Sequence, residues 1–507
     1  MSNRLGVLKD RLGQVADIDH ASELAQWDQM TKMPPRGAGA RAEALATLSR
    51  IGHELFVDDE TGRLLDAAER ELDGSDPDGD DARLIALTRR QWEKARRVPA
   101  DLAAELTRAS SVGQEAWAAA RAASDFAGYM PYLEHNIELA RRYVECQSGV
   151  PGYDCAYDVL LDDYEPQMRS AAVTMLFAEL KTELLRIIGA VRASGVQPDD
   201  RPLHATFPVT GQRALIGEVV DMMGFDPQGW RIDDTVHPFA SRIGQGDVRI
   251  TVRWDEHFFA TGLYSAMHEC GHGLYDGGVS PSLDRTPLGS VASLGMHESQ
   301  SRLWENMVGR GRPFSSVLAP RIAALAGGEL AQLTPDALYR AVNTIKPSFI
   351  RIEADEVTYG LHIILRFELE QALVEGTLSV ADLPEAWNAR VSEYFGLRVT
   401  DDADGVLQDV HWSAGLIGYF PTYALGNLIA GALWERARSE LDLDDQLAAG
   451  DLGPLRDWLG VHVHRHGSKF TTAELLAREV GSPMSVAPFA RYLRAKIEDV
   501  YGIDLGE

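Results

Sequence analysis

The feature that most constrains this chain is the pentapeptide His268-Glu269-Cys270-Gly271-His272, because two histidines four residues apart share one face of an α-helix, although the pattern taken alone also arises by chance. Four residues advance a helix by about 400°, which leaves the two imidazoles about 40° apart on one face and one turn apart. A single ion bound at about 2.0 to 2.1 Å per nitrogen then lies within reach of both. The segment from Gly262 to Tyr275 reads as that helix, stopped by Gly277 and Gly278. Glu269 flanks the ion at the distance of a general base that holds water in an open coordination position.

A catalytic zinc takes three protein ligands and leaves the fourth position to water. Glu298, in the helical segment His297 to Asn306, is the donor the sequence offers unless it is an ordinary surface glutamate, and His297 reads as its neighbour and not a ligand. In thermolysin-like sites an Asp four residues after the ligand Glu orients a zinc histidine. Arg302 stands there, so Asp355 or Asp409 is expected in that role unless each merely caps a helix.

Around this motif the pattern is helical. From Ala171 to Val191, Val173, Leu176, Leu180, Leu184, Ile187 and Ile188 form one stripe, and Pro488 to Tyr501 is again amphipathic, with proline in its first turn. The helical signal fades from His204 to Arg253, where Asp247 to Trp254 (DVRITVRW) alternates like a half-buried strand. Asp73 to Asp81 resembles a calcium loop, but Asp81 and Leu87 replace the required Gly and Glu, so it reads as a solvated loop. His462, His464 and His466 alternate with period two and offer no tetrahedral set on one helix face.

Composition narrows the function classes. With 45% hydrophobic and 25% charged residues the chain can bury a core, and a net charge of -27 repels phosphate backbones and anionic membrane surfaces. Nucleic acid and membrane are therefore not expected as partners. The best membrane-span candidate, Leu425 to Trp434, is too short and contains Asn427. Three cysteines (Cys146, Cys155 and Cys270) cannot build a disulfide framework, and the first residues lack a secretory pattern, so a cytoplasmic location is expected. Cys270 is read as a small buried residue.

Six motifs in order carry a resemblance: His237-Pro238-Phe239 to HPF, Asp247 to Thr251 to DxRxT, the HExxH itself, His297 to Ser299 to HES, Ile350 to Asp355 to IRxxAD, and Gly405 to Trp412 to GxxQDxHW. Trp27-Asp28-Gln29, Met33-Pro34, Tyr164-Glu165-Pro166 and Tyr492-Leu493 extend it over nearly the whole length. The chain resembles the carboxypeptidase Taq family of metallocarboxypeptidases. The resemblance implies a mainly α-helical peptidase, one domain over residues 1–507, with two lobes around a deep groove and a small sheet at about 204–260 beside the HExxH helix. It implies a carboxypeptidase of broad specificity, working on peptides with a free C-terminus, with one Zn2+ per chain (Co2+ as a possible substitute) on His268, His272 and Glu298. It also implies a homodimer.

Further roles follow from the same resemblance. Arg351 would pair with the substrate carboxylate, its planar fork suiting that group; the alternative is an internal salt bridge to Glu353 or Asp355. His237 and Arg249 would also face substrate. His411 and Tyr423 would donate to the oxyanion, or serve as a core histidine and a packing aromatic. Two other functions remain open: a zinc oligoendopeptidase or dipeptidyl carboxypeptidase using the same metal site, and a catalytically silent peptide-binding protein.

Overall fold

Apolar residues repeating at helical spacing must be buried along one stripe, and a computed structural model, which describes residues 3–506, shows where each stripe goes. The chain forms a succession of helices interrupted by a single three-stranded sheet among the described residues. It divides into two compact units, each assembled from three stretches: Met1–Arg96, Asp199–Val342 and Leu433–Pro483 in the first, and Arg97–Pro198, Asn343–Ala432 and Met484–Glu507 in the second.

The sheet belongs to the first unit. Strands β1 (Trp230–Asp234), β2 (Ala240–Gly244) and β3 (Asp247–Val252) lie in the order β1-β3-β2, with β1 parallel and β2 antiparallel to β3. On β3, Val248, Ile250 and Val252 are buried as the alternation predicts, and Thr251 is buried too because its hydroxyl is satisfied by Phe239 N (2.8 Å) and Phe239 O (3.0 Å). Two of the short motifs thus bind each other. The helix Ala260–Gly278, which carries the histidine pair, lies on this sheet, with Gly273 directly over the Trp230 ring and Val248. Gly277 and Gly278 form its last turn instead of lying beyond it.

One expectation needs correction. The stretch from His204 to Arg253 is not uniformly non-helical, because Val209–Met223 folds as an α-helix. Two glycines and several β-branched residues depress its intrinsic propensity, but burial of Leu215, Ile216, Val219, Val220 and Met223 along one side overrides that weak preference.

In the second unit the helix Ser170–Ser194 buries Val173, Leu180, Leu184, Ile187 and Ile188, with Phe177 taking the buried place expected of Leu176. Gly360 of the helix Glu356–Glu375 sits against Leu184. Ala487–Tyr501 is helical, with proline in its first turn. The Asp/Gly-rich piece at 73–81 is mostly turns and bends. Leu425 to Trp434 lies inside the helix Pro421–Glu440, and no described helix is long and apolar enough to cross a membrane.

Candidate metal centre

His268 and His272 project from one face of their helix, and the next helix, Leu294–Arg302, brings Glu298 to them. The approach is close enough to require a glycine. A Cβ at Gly271 would stand 2.8 Å from both Gln300 O and Ser301 Cα, so this position inside the pentapeptide sets the distance between the two backbones. Ser293 caps the second helix by accepting from Met296 N at 3.0 Å.

The three side chains converge. His268 Nε2 and His272 Nε2 are 3.2 Å apart, and Glu298 Oε2 lies 3.7 Å from the first and 3.5 Å from the second. A tetrahedral ion bound at about 2.0 to 2.1 Å separates its ligand atoms by roughly 3.3 Å, so the donor triangle has the dimensions one divalent cation needs. It is the one such group of His, Cys, Asp or Glu donors among the described residues. Burial, followed by the neighbouring His297, pushes His272 down to about 3, which keeps its ring neutral. Burial alone would raise Glu298, but the Arg302 guanidinium and His268 outweigh it and hold the carboxyl well below its ordinary range. A neutral imidazole and an ionised carboxylate are the forms that bind metal. Glu269 is only 7% exposed, and that burial raises its pKa to about 7.

The groups behind the ligands differ from expectation. Asp355 caps the helix Glu356–Glu375, accepting from Val357 N and Thr358 N, and Asp409 is taken up by two arginines. The acceptor beside His268 is Glu305, whose Oε2 lies 2.9 Å from His268 Nδ1. It sits in a π-helical turn, Leu303–Gly309, that continues the Glu298 helix. Its spacing of seven residues from Glu298, one more helical repeat than the four that singled out Arg302, was the signal available in the sequence. His272 has no corresponding acceptor. Its Nδ1 is buried without a hydrogen-bond partner, and its ring stacks on His297 at 4.1 Å, which in turn meets Asp276 at 3.2 Å. His464 reaches Gln300 Oε1 at 2.8 Å, while His462 (2.7 Å) and His466 (3.8 Å) both face Glu479, so the alternating histidines do not converge on one centre. Cys270 is fully buried.

Arg249 and His237 lie in the same unit as the triangle without joining it. Arg249 makes two 2.8 Å bonds to Asp247 and covers the Trp27 ring at 4.3 Å, with Arg231 also placed over that ring at 4.7 Å. His237 is exposed in the turn between β1 and β2.

Arg351, His411 and Tyr423 come together in the second unit. Arg351 is 5% exposed, and Asp409 Oδ1 accepts from its Nε (3.0 Å) and Nη2 (2.8 Å), while Tyr359 OH receives its Nη1 at 3.1 Å. Its ion pair is therefore with Asp409, not with Glu353 or Asp355. Fully buried Arg366 shares that carboxylate, donating Nε to Asp409 Oδ2 at 2.7 Å. His411 Nε2 lies 3.1 Å from Tyr423 OH, and burial, reinforced by Arg351, drives the imidazole down to about 3.

The comparisons identify the family. The family model described as carboxypeptidase Taq (M32) metallopeptidase matches residues 7–497. Thermostable carboxypeptidase 1 of Thermus thermophilus is 42% identical, with 96% of this chain and 97% of the relative aligned, and carboxypeptidase 1 of Bacillus subtilis is 36% identical with 97% of each. Among solved structures, the M32 carboxypeptidase of Deinococcus radiodurans R1 superposes with a TM-score of 0.95 at 37% identity, covering 99% of this chain and all of that one. Metallocarboxypeptidase 1 of Trypanosoma cruzi does so with a TM-score of 0.93 at 32% identity, covering 98% and 100%. The chain belongs to the carboxypeptidase Taq (M32) family of metallopeptidases.

Proposed function

We propose that this protein removes single residues from the C-terminus of peptides with broad specificity, using one zinc ion held by His268, His272 and Glu298. The observation that carries the reading is the donor triangle of 3.2, 3.5 and 3.7 Å. When bound, the ion would supply Lewis acidity, polarising the scissile carbonyl and making a coordinated water acidic near neutrality. Cobalt suits the same donors.

The chain's own residues do the rest. Glu269 takes the water proton and returns it to the leaving amine, and a carboxyl raised to about 7 is well matched to both tasks near neutral pH. His411 and Tyr423 are proposed as donors to the developing oxyanion. Arg351 is proposed to orient the substrate's terminal carboxylate. In its cluster two buried guanidiniums share the single Asp409 carboxylate, which leaves an excess positive charge for an anion to neutralise. His237 is proposed to meet the peptide from its exposed turn. Arg249 is proposed to act through the wall it builds with Trp27, its guanidinium being already committed to Asp247.

Within the same reading, residues 1–507 work as one peptidase domain whose groove admits peptides and unfolded tails. The protein is proposed to be a cytoplasmic homodimer, the three unpaired thiols fitting a reducing compartment.

A peptide ladder incubated with the purified protein tests the activity by mass spectrometry. Stepwise loss of single C-terminal residues, abolished by a chelator and by Glu269→Gln, is the expected result. Equal cleavage of C-terminally amidated peptides would instead mark an endopeptidase.

A further inference from the structure

An imidazole offers one nitrogen to a metal cleanly when the other holds its proton against a fixed acceptor. His268 Nδ1 is 2.9 Å from Glu305 Oε2, while its Nε2 is the atom turned toward His272 and Glu298. An ionised carboxylate only accepts, so this contact places the proton on Nδ1 and leaves the Nε2 lone pair facing the other two donors. We propose that Glu305 is a positioning residue that fixes the tautomer and ring orientation of His268 for metal binding. The inference rests on the metal-site reading above and adds a residue to it.

Glu305 is itself held from several sides. Arg310 Nη2 donates to its Oε1 at 3.0 Å, and Arg302 Nη1 lies 3.4 Å from its Oε2. Arg310 is braced over the Tyr264 ring at 4.1 Å and reaches Val342 O at 3.3 Å. The π turn is pressed onto the histidine helix one residue before His268, since a Cβ at Gly309 would come within 2.7 Å of Met267 Sδ. Trp304 and Leu303 are fully buried beside it. A carboxylate fixed by two cations and a packed turn cannot follow a rotating imidazole, so it is the ring that must align.

The two histidines are therefore held differently, His268 by a charged acceptor and His272 by stacking on His297. Loss of Glu305 should accordingly be felt at His268 and not at His272. Arg302, in the position where a thermolysin-like site carries its orienting Asp, has changed sides: its Nε grips Glu298 Oε1 at 2.6 Å and the orienting carboxylate is supplied three residues later.

The experiment measures metal affinity, not turnover. Zinc is titrated against a chromophoric chelator into the parent protein, Glu305→Gln, Glu305→Asp and the double variant Glu305→Gln/Arg310→Gln, which removes the guanidinium stranded by the single change. The Co2+-loaded forms are compared by their d–d absorption. Glu305→Gln is expected to weaken zinc by about 10- to 100-fold and shift the cobalt spectrum, with Glu305→Asp recovering part of the loss. Nitrogen-15 shifts of His268 in the metal-free parent, above the pH range in which the ring titrates, are expected to show the Nδ1-protonated tautomer. That measurement decides the matter if the variants fail to fold. Folded variants that bind zinc within twofold of the parent, or an Nε2-protonated His268, would overturn the role of Glu305. A parent protein that binds no zinc would overturn the metal-site reading instead.

Discussion

Arg302 and Glu298 stand one helical turn apart, and the 2.6 Å bond from Arg302 Nε to Glu298 Oε1 turns the other oxygen, Oε2, toward the two histidines. This pairing selects which carboxylate oxygen is free to bind metal. It also balances charge. Glu298 in the donor triangle and Glu305 behind His268 are set against Arg302 and Arg310, so these two buried carboxylates are matched by two guanidiniums.

Replacing Arg302 by Gln should therefore free Glu298 to rotate and lower zinc affinity by about tenfold or more. Competition with a chelator of known affinity measures it. Affinity equal to the parent's would show that Ser301, which also bonds Glu298, suffices to orient it.

Gly271→Ala tests the close helix contact. The added methyl meets backbone atoms at 2.8 Å, and these cannot rotate away as a side chain would. The two helices must separate, at a cost of about 1 to 3 kcal/mol. Denaturant midpoints should record that loss, and zinc affinity should fall with it because Glu298 recedes from the histidines.

Asp409→Asn removes the one carboxylate shared by Arg351 and Arg366, both nearly or wholly buried. Stranding buried guanidiniums costs on the order of 3 to 5 kcal/mol, so a large drop in unfolding free energy is expected. Variants that fold at low temperature should show KM raised more than kcat is lowered for peptides with a free C-terminus. An unchanged KM would separate this cluster from substrate binding.

Glu183 gives a pH dependence away from the metal centre. Bonds from Arg494, and also from Arg186, outweigh burial and hold its carboxyl at about 2, below the ordinary 4.5. A depressed folded-state pKa adds stability that is fully present above about 4.5 and is lost as the pH falls toward 2. Glu183→Gln should flatten the acid limb of the stability curve over that interval while lowering the neutral plateau. Urea midpoints between pH 2 and 7 test this, and parallel curves for the two proteins would count against it.

The histidine helix was legible in the sequence because the information is short-range, whereas Glu298 was singled out by the resemblance that the ordered motifs carry. Helical geometry converts a spacing of four into a shared face, and one neighbouring acidic helix completes the donor set. The strand at Asp247 was legible for the same reason, its side chains alternating across a pleat. The helix Val209–Met223 was not, because its glycines and β-branched residues argue against it and burial alone decides in its favour.

The sequence by itself determined the helical character, the residue types of the candidate metal donors and, through six ordered motifs, the family. Only the tertiary structure decided which groups stand behind those donors. Asp355, Asp409 and Glu305 are chemically equivalent acceptors, and choosing among them requires knowing which carboxylate is already spent. Asp409 is spent on two arginines, one of them 58 residues away along the chain. Asp355 closes the start of its own helix, which leaves the π-turn glutamate beside His268. Pairing of buried charges is settled by packing across the core, and spacing along the chain carries almost no record of it.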